Sequence, residues 1–324
     1  MQREFGGYLP LELPHRQELY TGPGVLRLNC GRSAICAALR DAGAKKVYLP
    51  YYNCNTVYDA VTREGFAVER YTLDNDRLPV CPTLGEGEWL LYVNYFGIAA
   101  QDMLAEVKHR WPRIIFDNTQ AFFASPLMDA DSYNVYSCRK FIGVPDGAYL
   151  VHTGLTDGKY PADTSWQNAM FLFRCIDESV NSAYADSLDN ESRFDDGIRE
   201  MSPSTRRILE SVDYDSLRHC RRENFAALHA TLGQYNELAC PAKADAMIYP
   251  FLCRDDGLRR RLIEHKVYVS QWWKYLLDLL PADSVEAVYS RWLLPLPIDQ
   301  RYTPEDMRAL AALVLQLKQE GGTA

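Results

Sequence analysis

Two short apolar runs near the middle of the chain each end on a side chain able to do chemistry. Ile114-Ile115-Phe116 leads to the carboxylate of Asp117, with Gln120 one turn further on. Tyr133-Asn134-Val135-Tyr136 leads to the hydroxyl of Ser137, and the amine of Lys140 follows within the next few residues. A glycine-containing turn then carries the chain into a third run, Ala148 to Val151. Such runs read as buried parallel strands of an α/β sheet, and the carboxyl ends of such strands open into the crevice where ligands bind. One strand end therefore offers an acid, and another a hydroxyl and an amine.

That set suits pyridoxal phosphate. This cofactor requires a lysine amine to bond its aldehyde, a carboxylate to keep its ring nitrogen protonated, and donors for its phosphate. Lys140, Asp117 and Ser137 fill these roles in turn. The lysine has to lose its proton to react, so it belongs in a desolvated or electropositive place that lowers its pKa. For a single Asp or Lys an ordinary surface ion pair is the simpler reading; three matched residues at two successive strand ends shift the balance.

The segments FDNTQAF and SCRKFIGVPDGAYL resemble the aspartate and lysine motifs of the DegT/DnrJ/StrS group of sugar aminotransferases, a branch of the fold-type I pyridoxal phosphate enzymes. Weaker matches follow the same order along the chain: LNCGRSAICAALRDAG, VYLPYYNCNTVYDAVTREG, YVNYFGIAAQDM, MSPSTRRIL and RWLLPLPIDQRYTPEDM. The resemblance implies an α/β fold with a large domain on a mostly parallel seven-stranded sheet and a small α+β C-terminal domain. Residues 1–234, with an N-terminal arm and a linking helix, would form the first, and residues 235–324 the second. It also implies pyridoxal 5'-phosphate as cofactor, glutamate or glutamine as amino donor, a nucleotide-linked keto-sugar as acceptor, and a homodimer with shared active sites. Gln120 would then sit against the phenolic oxygen of the cofactor ring, and Asn94 and Tyr95 on the substrate side.

Two positions depart from the family pattern. The lysine follows the serine by three residues, where most of the group has five, which affects the shape of the loop and the subfamily. Counting from Pro50, the place of the aromatic that stacks on the ring is held by Cys54, so Tyr51, Tyr52, or Asn53 with Cys54, are the candidates to cover it. Near the start, Gly31-Arg32-Ser33 opens a helix after a turn. Free backbone N–H groups and the helix dipole make such a place an anion site, and these three residues are assigned to the phosphate. The simpler alternative is an N-cap by Ser33.

The remaining elements must hold these groups in place. Residues 1–24 read as an irregular arm broken by Pro10, Pro14 and the Thr21-Gly22-Pro23-Gly24 turn. A helix is expected from about Ser165 to Tyr184, an extended loop from Ala185 to Pro203, and one long helix from Ser204 to about Leu232 with Arg218, Arg221 and Arg222 on a solvated face. Arg139, between the serine and the lysine, is read most simply as solvent-facing or at an interface, with contact to the phosphate as the alternative. Met247 to Leu252, Val267 to Ser270 and Trp292 to Leu296 read as strands, with Trp272 and Trp273 as core or rim aromatics.

Composition narrows the partners. A net charge of −8 argues against nucleic acid or an anionic membrane as the main partner. The first residues lack the apolar core of a signal peptide and no run reaches transmembrane length, so a cytoplasmic protein is expected. Nine cysteines without a CxxC pair, and six histidines without ligand spacing, indicate neither a disulfide framework nor a metal site. Besides transamination, the residues leave open another reaction with the same cofactor, such as elimination or dehydration on a sugar, and a non-catalytic descendant. A binding module has no need of the lysine, which weighs against the last.

Overall fold

The computed structural model describes residues 5–155, 157–195 and 197–321. Residues 5–24 form no regular element, as the prolines and the glycine turn dictate; the first four residues of the arm lie outside the described set. The chain then alternates strands and helices: β1 (Val25–Leu28), α1 (Gly31–Asp41), β2 (Lys46–Pro50), α2 (Asn55–Arg63), β3 (Ala67–Leu73), β4 (Pro79–Val80), β5 (Glu88–Val93), α3 (Gln101–Arg110), β6 (Ile114–Asp117), β7 (Ser132–Ser137) and β8 (Ala148–Val151). These strands form one sheet in the order β1-β8-β7-β6-β5-β2-β3-β4.

The sheet has eight strands where the family resemblance implies seven. The two-residue β4 folds back on the end of β3, pairing Thr72 with Val80 and Leu73 with Pro79. The run β7-β6-β5-β2-β3 is parallel throughout. β8 is not the parallel strand expected of it, for it lies antiparallel to both β7 and β1. Residues 138–147 are too few for a crossover connection, which takes a dozen or more, so the chain can only return alongside β7. Register places Asp117 opposite Val93 on one side and Val135 on the other. Asp117 and Ser137 thus reach the same sheet edge from neighbouring strands.

The second half of the chain holds α4 (Met170–Asp177), α5 (Tyr184–Ser192), α6 (Pro203–Leu209), α7 (Tyr214–Leu232), β9 (Tyr249–Leu252), α8 (Leu258–Glu264), α9 (Leu276–Leu279), α10 (Val285–Trp292), β10 (Leu293–Leu296) and α11 (Pro304–Gly321). Several expectations are corrected here. The polar stretch read as a loop from Ala185 contains most of α5, anchored by buried Asn190, whose amide donates to Pro145 O at 2.7 Å. The single long helix is two, because the Asp213 side chain accepts from Ser216 N at 3.0 Å and starts a new helix. Val267 to Ser270 is not a strand; the positive φ of Lys266 (61°) and Trp273 (49°) on either side breaks the extended run. Arg221, expected in solvent, is 2% exposed.

The loop that carries Lys140 is fixed from three directions. Asp146 accepts from Ser202 N and Oγ, both at 2.8 Å, and from Thr205 Oγ1, which ties the loop to the first turn of α6. Phe141 O accepts from Gln300 Nε2 at 2.9 Å and from the Arg221 guanidinium at 3.4 Å. Phe225, Leu228 and Leu232 of α7 pack with β9, β10 and the stripe Met307, Ala311, Val314 and Leu317 of α11, a helical spacing that makes one apolar face. The same helix sends Tyr214 and Leu217 into a separate core with Phe122, Tyr136 and Phe141.

Gly97 closes the turn after β5 with φ 77°, and a Cβ there would stand 2.7 Å from Gln120 O. Gly97→Ala is therefore expected to cost about 2 kcal/mol or more, from backbone strain and overlap together. Urea unfolding measures it, and an unchanged midpoint would mean that the turn relaxes freely.

Candidate active site

At the carboxyl edge of β2, β6 and β7 lies a cavity of about 220 Å³, lined among others by Gly31, Arg32, Asn53, Cys54, Asp117, Thr119, Ser137, Lys140 and Trp273. Lys140 Nζ donates to Thr119 Oγ1 at 3.0 Å, and Thr119 N donates to Asp117 Oδ1 at 2.9 Å. Asp117 is 2% exposed. The surface of Lys140 is exposed, but it faces a cleft with protein on the other sides. Removal from bulk water pushes its ammonium pKa below the ordinary lysine value; Asp117, Cys54 and Glu191 oppose this without reversing it, and Arg139 adds to it. Lys140 therefore gives up its proton more readily than a lysine in water.

Gly31 and Arg32 reach the cavity because α1 begins there. Cys30 holds the cap position and makes no side-chain capping bond, so the first turn is not closed off by a side chain. Ser33 does not cap the helix, contrary to the simpler alternative, and does not line this cavity: its hydroxyl is turned back to Asn29 Oδ1 at 2.7 Å. A Cβ at Gly31 would come within 3.1 Å of Thr119 Cγ2, so glycine lets the helix approach the residue that holds Lys140. Arg32 is 8% exposed and bonds Glu191 Oε1 at 2.6 Å. Arg139, read as solvent-facing, lines the cavity and takes the other oxygen of Glu191, also at 2.6 Å.

Asn53 and Cys54 form the wall where β2 passes into α2. Asn53 Oδ1 accepts from Cys54 N at 2.7 Å, and its Nδ2 is buried with no partner among the described residues. Tyr51 and Tyr52 are not on the cavity; Tyr52 instead supports Trp273, edge to face, with ring centroids 4.4 Å apart. Trp273 is the aromatic on the wall, a part that sequence reading did not give it. Its left-handed backbone is costly for a bulky residue and directs attention to this position.

Besides Ser33, three expected site residues lie elsewhere. Gln120 is buried and its Oε1 accepts from Phe96 N at 2.9 Å, Asn94 donates to Asn118 Oδ1 at 3.0 Å, and Tyr95 donates to Tyr52 O at 2.9 Å. Gln120 and Asn94 hold the turn after β5 against the end of β6, Tyr95 ties it to the residues after β2, and none of the three lines the cavity. Lys140 also borders a second cavity of about 280 Å³ on its far side, with Arg221, Tyr268, Ser270, Trp272 and Asp299. Here Arg221 is held by the carbonyls of Ala246 and Met247 at 3.3 and 3.0 Å, and burial lowers its pKa to about 10. Tyr268 and Pro297 are shared between this cavity and a larger one of about 630 Å³ reaching α11.

No family model and no curated protein sequence matches the chain. Solved structures do. DesV from S. venezuelae, in complex with a ketimine intermediate, superposes over 90% of this chain and 84% of its own, with TM-score 0.61 and 18% identity. Spr1654 from Streptococcus pneumoniae, a putative sugar aminotransferase in its PLP form, covers 91% and 87% with TM-score 0.62 and 12% identity. A DegT DnrJ EryC1 StrS aminotransferase from Brucella abortus covers 90% and 85% with TM-score 0.56 and 15% identity. The chain has the fold of these aminotransferases. Identities this low speak to the fold, and the chemistry rests on the residues above.

The lowered pKa of Lys140 is open to a direct check. In competitive acetylation across a pH series, Lys140 is expected to reach half-maximal reactivity at lower pH than the surface residues Lys45 and Lys274. Equal midpoints for all three, read by peptide mass spectrometry, would contradict it.

Proposed function

We propose that this chain is a pyridoxal phosphate-dependent aminotransferase that moves an amino group from glutamate or glutamine to a nucleotide-linked keto-sugar. The observation that carries the reading is the cavity in which an easily deprotonated lysine, a buried aspartate and the open first turn of α1 meet. The likeness to proteins solved in a PLP form, or described as sugar aminotransferases, supports it.

The residues present fit the cofactor. Lys140 is an amine whose pKa burial lowers, Asp117 is a buried acid, and Gly31, Arg32 and Ser137 line the same cavity as donors. The unpartnered Asn53 Nδ2 adds a further donor, and Trp273 with Cys54 supplies a flat and a small surface. When bound, pyridoxal phosphate supplies an aldehyde that bonds amines and a ring that accepts electrons from the neighbouring carbon. Asp117 would keep the ring nitrogen protonated. Lys140 Nζ, once free, would take the proton from the α-carbon of the amino donor, and Thr119 Oγ1 would hold the amine on that line.

We read the acceptor as entering through the second cavity, which meets the first at Lys140. A homodimer accords with the surface. Trp166, Met170, Ile176 and Val180 in and around α4 are 66%, 61%, 80% and 53% exposed, a patch of the kind that a second copy covers.

Two measurements test the reading. Wild-type protein mixed with pyridoxal phosphate should gain a visible absorption band that shifts on adding glutamate, and Lys140→Ala should show neither change. Asp117→Ala should slow the half-reaction with glutamate by about 10²-fold or more, as expected for loss of a buried electrostatic partner. A colourless wild type, or a fully active Lys140→Ala, would defeat the proposal. Light scattering should give twice the chain mass, and Ile176→Glu should shift it toward the single chain; a monomeric wild type would remove the dimer from the reading.

A further inference from the structure

A flat ring bound in the 220 Å³ cavity needs a flat face to lie against, and among the described residues that line it Trp273 is the one aromatic. Trp273 holds its place at some cost. Its φ of 49° lies in the left-handed region, which bulky residues seldom use, and such strain persists only where neighbours enforce it.

The neighbours do so from two sides. Leu276 N donates to Trp273 O at 3.0 Å at the start of α9, and Ser290 Oγ reaches the same carbonyl at 3.4 Å. On the other side the segment is fastened to the turn between β2 and α2. Tyr275 Oη donates to Asn53 O at 2.9 Å, and the Arg70 guanidinium donates to Tyr275 Oη at 3.2 Å. The ring of Tyr52, fully buried and at 88° to the indole, fixes its tilt. Cys54 is the next residue of that turn, and its side chain is small. With Tyr51 and Tyr52 off the cavity, no ring on the turn competes with the indole for it. Trp273 is nevertheless only half-buried, so it is a rigidly held aromatic that presents a surface to the cavity.

We propose that Trp273 is the residue on which the cofactor ring stacks. This rests on the reading of the cavity as a pyridoxal phosphate site and names the side chain that covers the ring. A ring whose nitrogen is kept protonated by Asp117 is electron-poor, and among aromatic side chains the indole attracts a cation to its face most strongly. The cover then comes from a segment far along the chain, so that holding the ring ties residues 270–276 to the sheet edge that carries Asp117 and Lys140.

Pyridoxine 5'-phosphate lacks the aldehyde and cannot bond Lys140, so its affinity for the full chain, measured by calorimetry, reports the ring and the phosphate alone. Trp273→Leu should weaken it at least about fivefold, the scale of an aromatic contact, and Trp273→Phe should keep the greater part of the affinity. A packing role alone would not rank Phe above Leu. Pyridoxal phosphate should also quench a larger share of the tryptophan emission in wild type than in Trp273→Phe. Equal affinity of wild type, Trp273→Phe and Trp273→Leu for the analogue would overturn the proposal, as would equal quenching. If wild type binds neither pyridoxal phosphate nor the analogue, the cofactor reading falls and the stacking falls with it. If wild type binds both and Trp273→Leu binds them equally well, the cofactor reading stands and the stacking alone falls.

Discussion

The bond from Lys140 Nζ to Thr119 Oγ1 ties together the loops that follow two paired strands, β6 and β7. Thr119 is held in turn by its N–H to Asp117, so amine, hydroxyl and carboxylate form one line across the ends of β6 and β7. Everything near the site supports that line. Gly31 lets α1 come close to Thr119, and Asp146 fastens the far side of the lysine loop to α6. Without the parallel pairing of β6 and β7, the aspartate and the lysine would have no common edge.

Much of this was legible because it is local. Asp117 and Ser137 end apolar runs, and a run that is buried on both faces declares itself in sequence. Gly31, Arg32, Asn53, Cys54, Asp117, Ser137 and Lys140 all border one cavity. Gln120, Asn94 and Tyr95 do not: Gln120 accepts from the turn after β5, Asn94 donates to Asn118 and Tyr95 to Tyr52 O, and the motif around Asp117 has no way to show which neighbour its glutamine will meet. Thr119 did leave a signal. An Asp two residues before it invites the Asx turn that now orients it.

Other parts depend on contacts between distant segments. Trp273 and Glu191 come to the cavity from far along the chain, and neither stands in a pattern that marks it. The direction of β8 followed from the length of the connection before it, a number that was available and outweighed by the apolar run itself. Helix α5 sits in a stretch whose Asp, Asn and Ser content speaks for a loop. Its order comes from tertiary bonds, such as that of Asn190 to Pro145, which composition does not carry.

Lys140 stands between two chambers and belongs to the lining of both. Its loop is anchored at Asp146 and at Phe141, so the backbone from which the amine reaches is fixed against both chambers. A flat carbon centre held across that boundary would see its proton donor from one side alone. Handedness in the product would then follow from where the wall between the chambers stands, and would need no separate residue to enforce it.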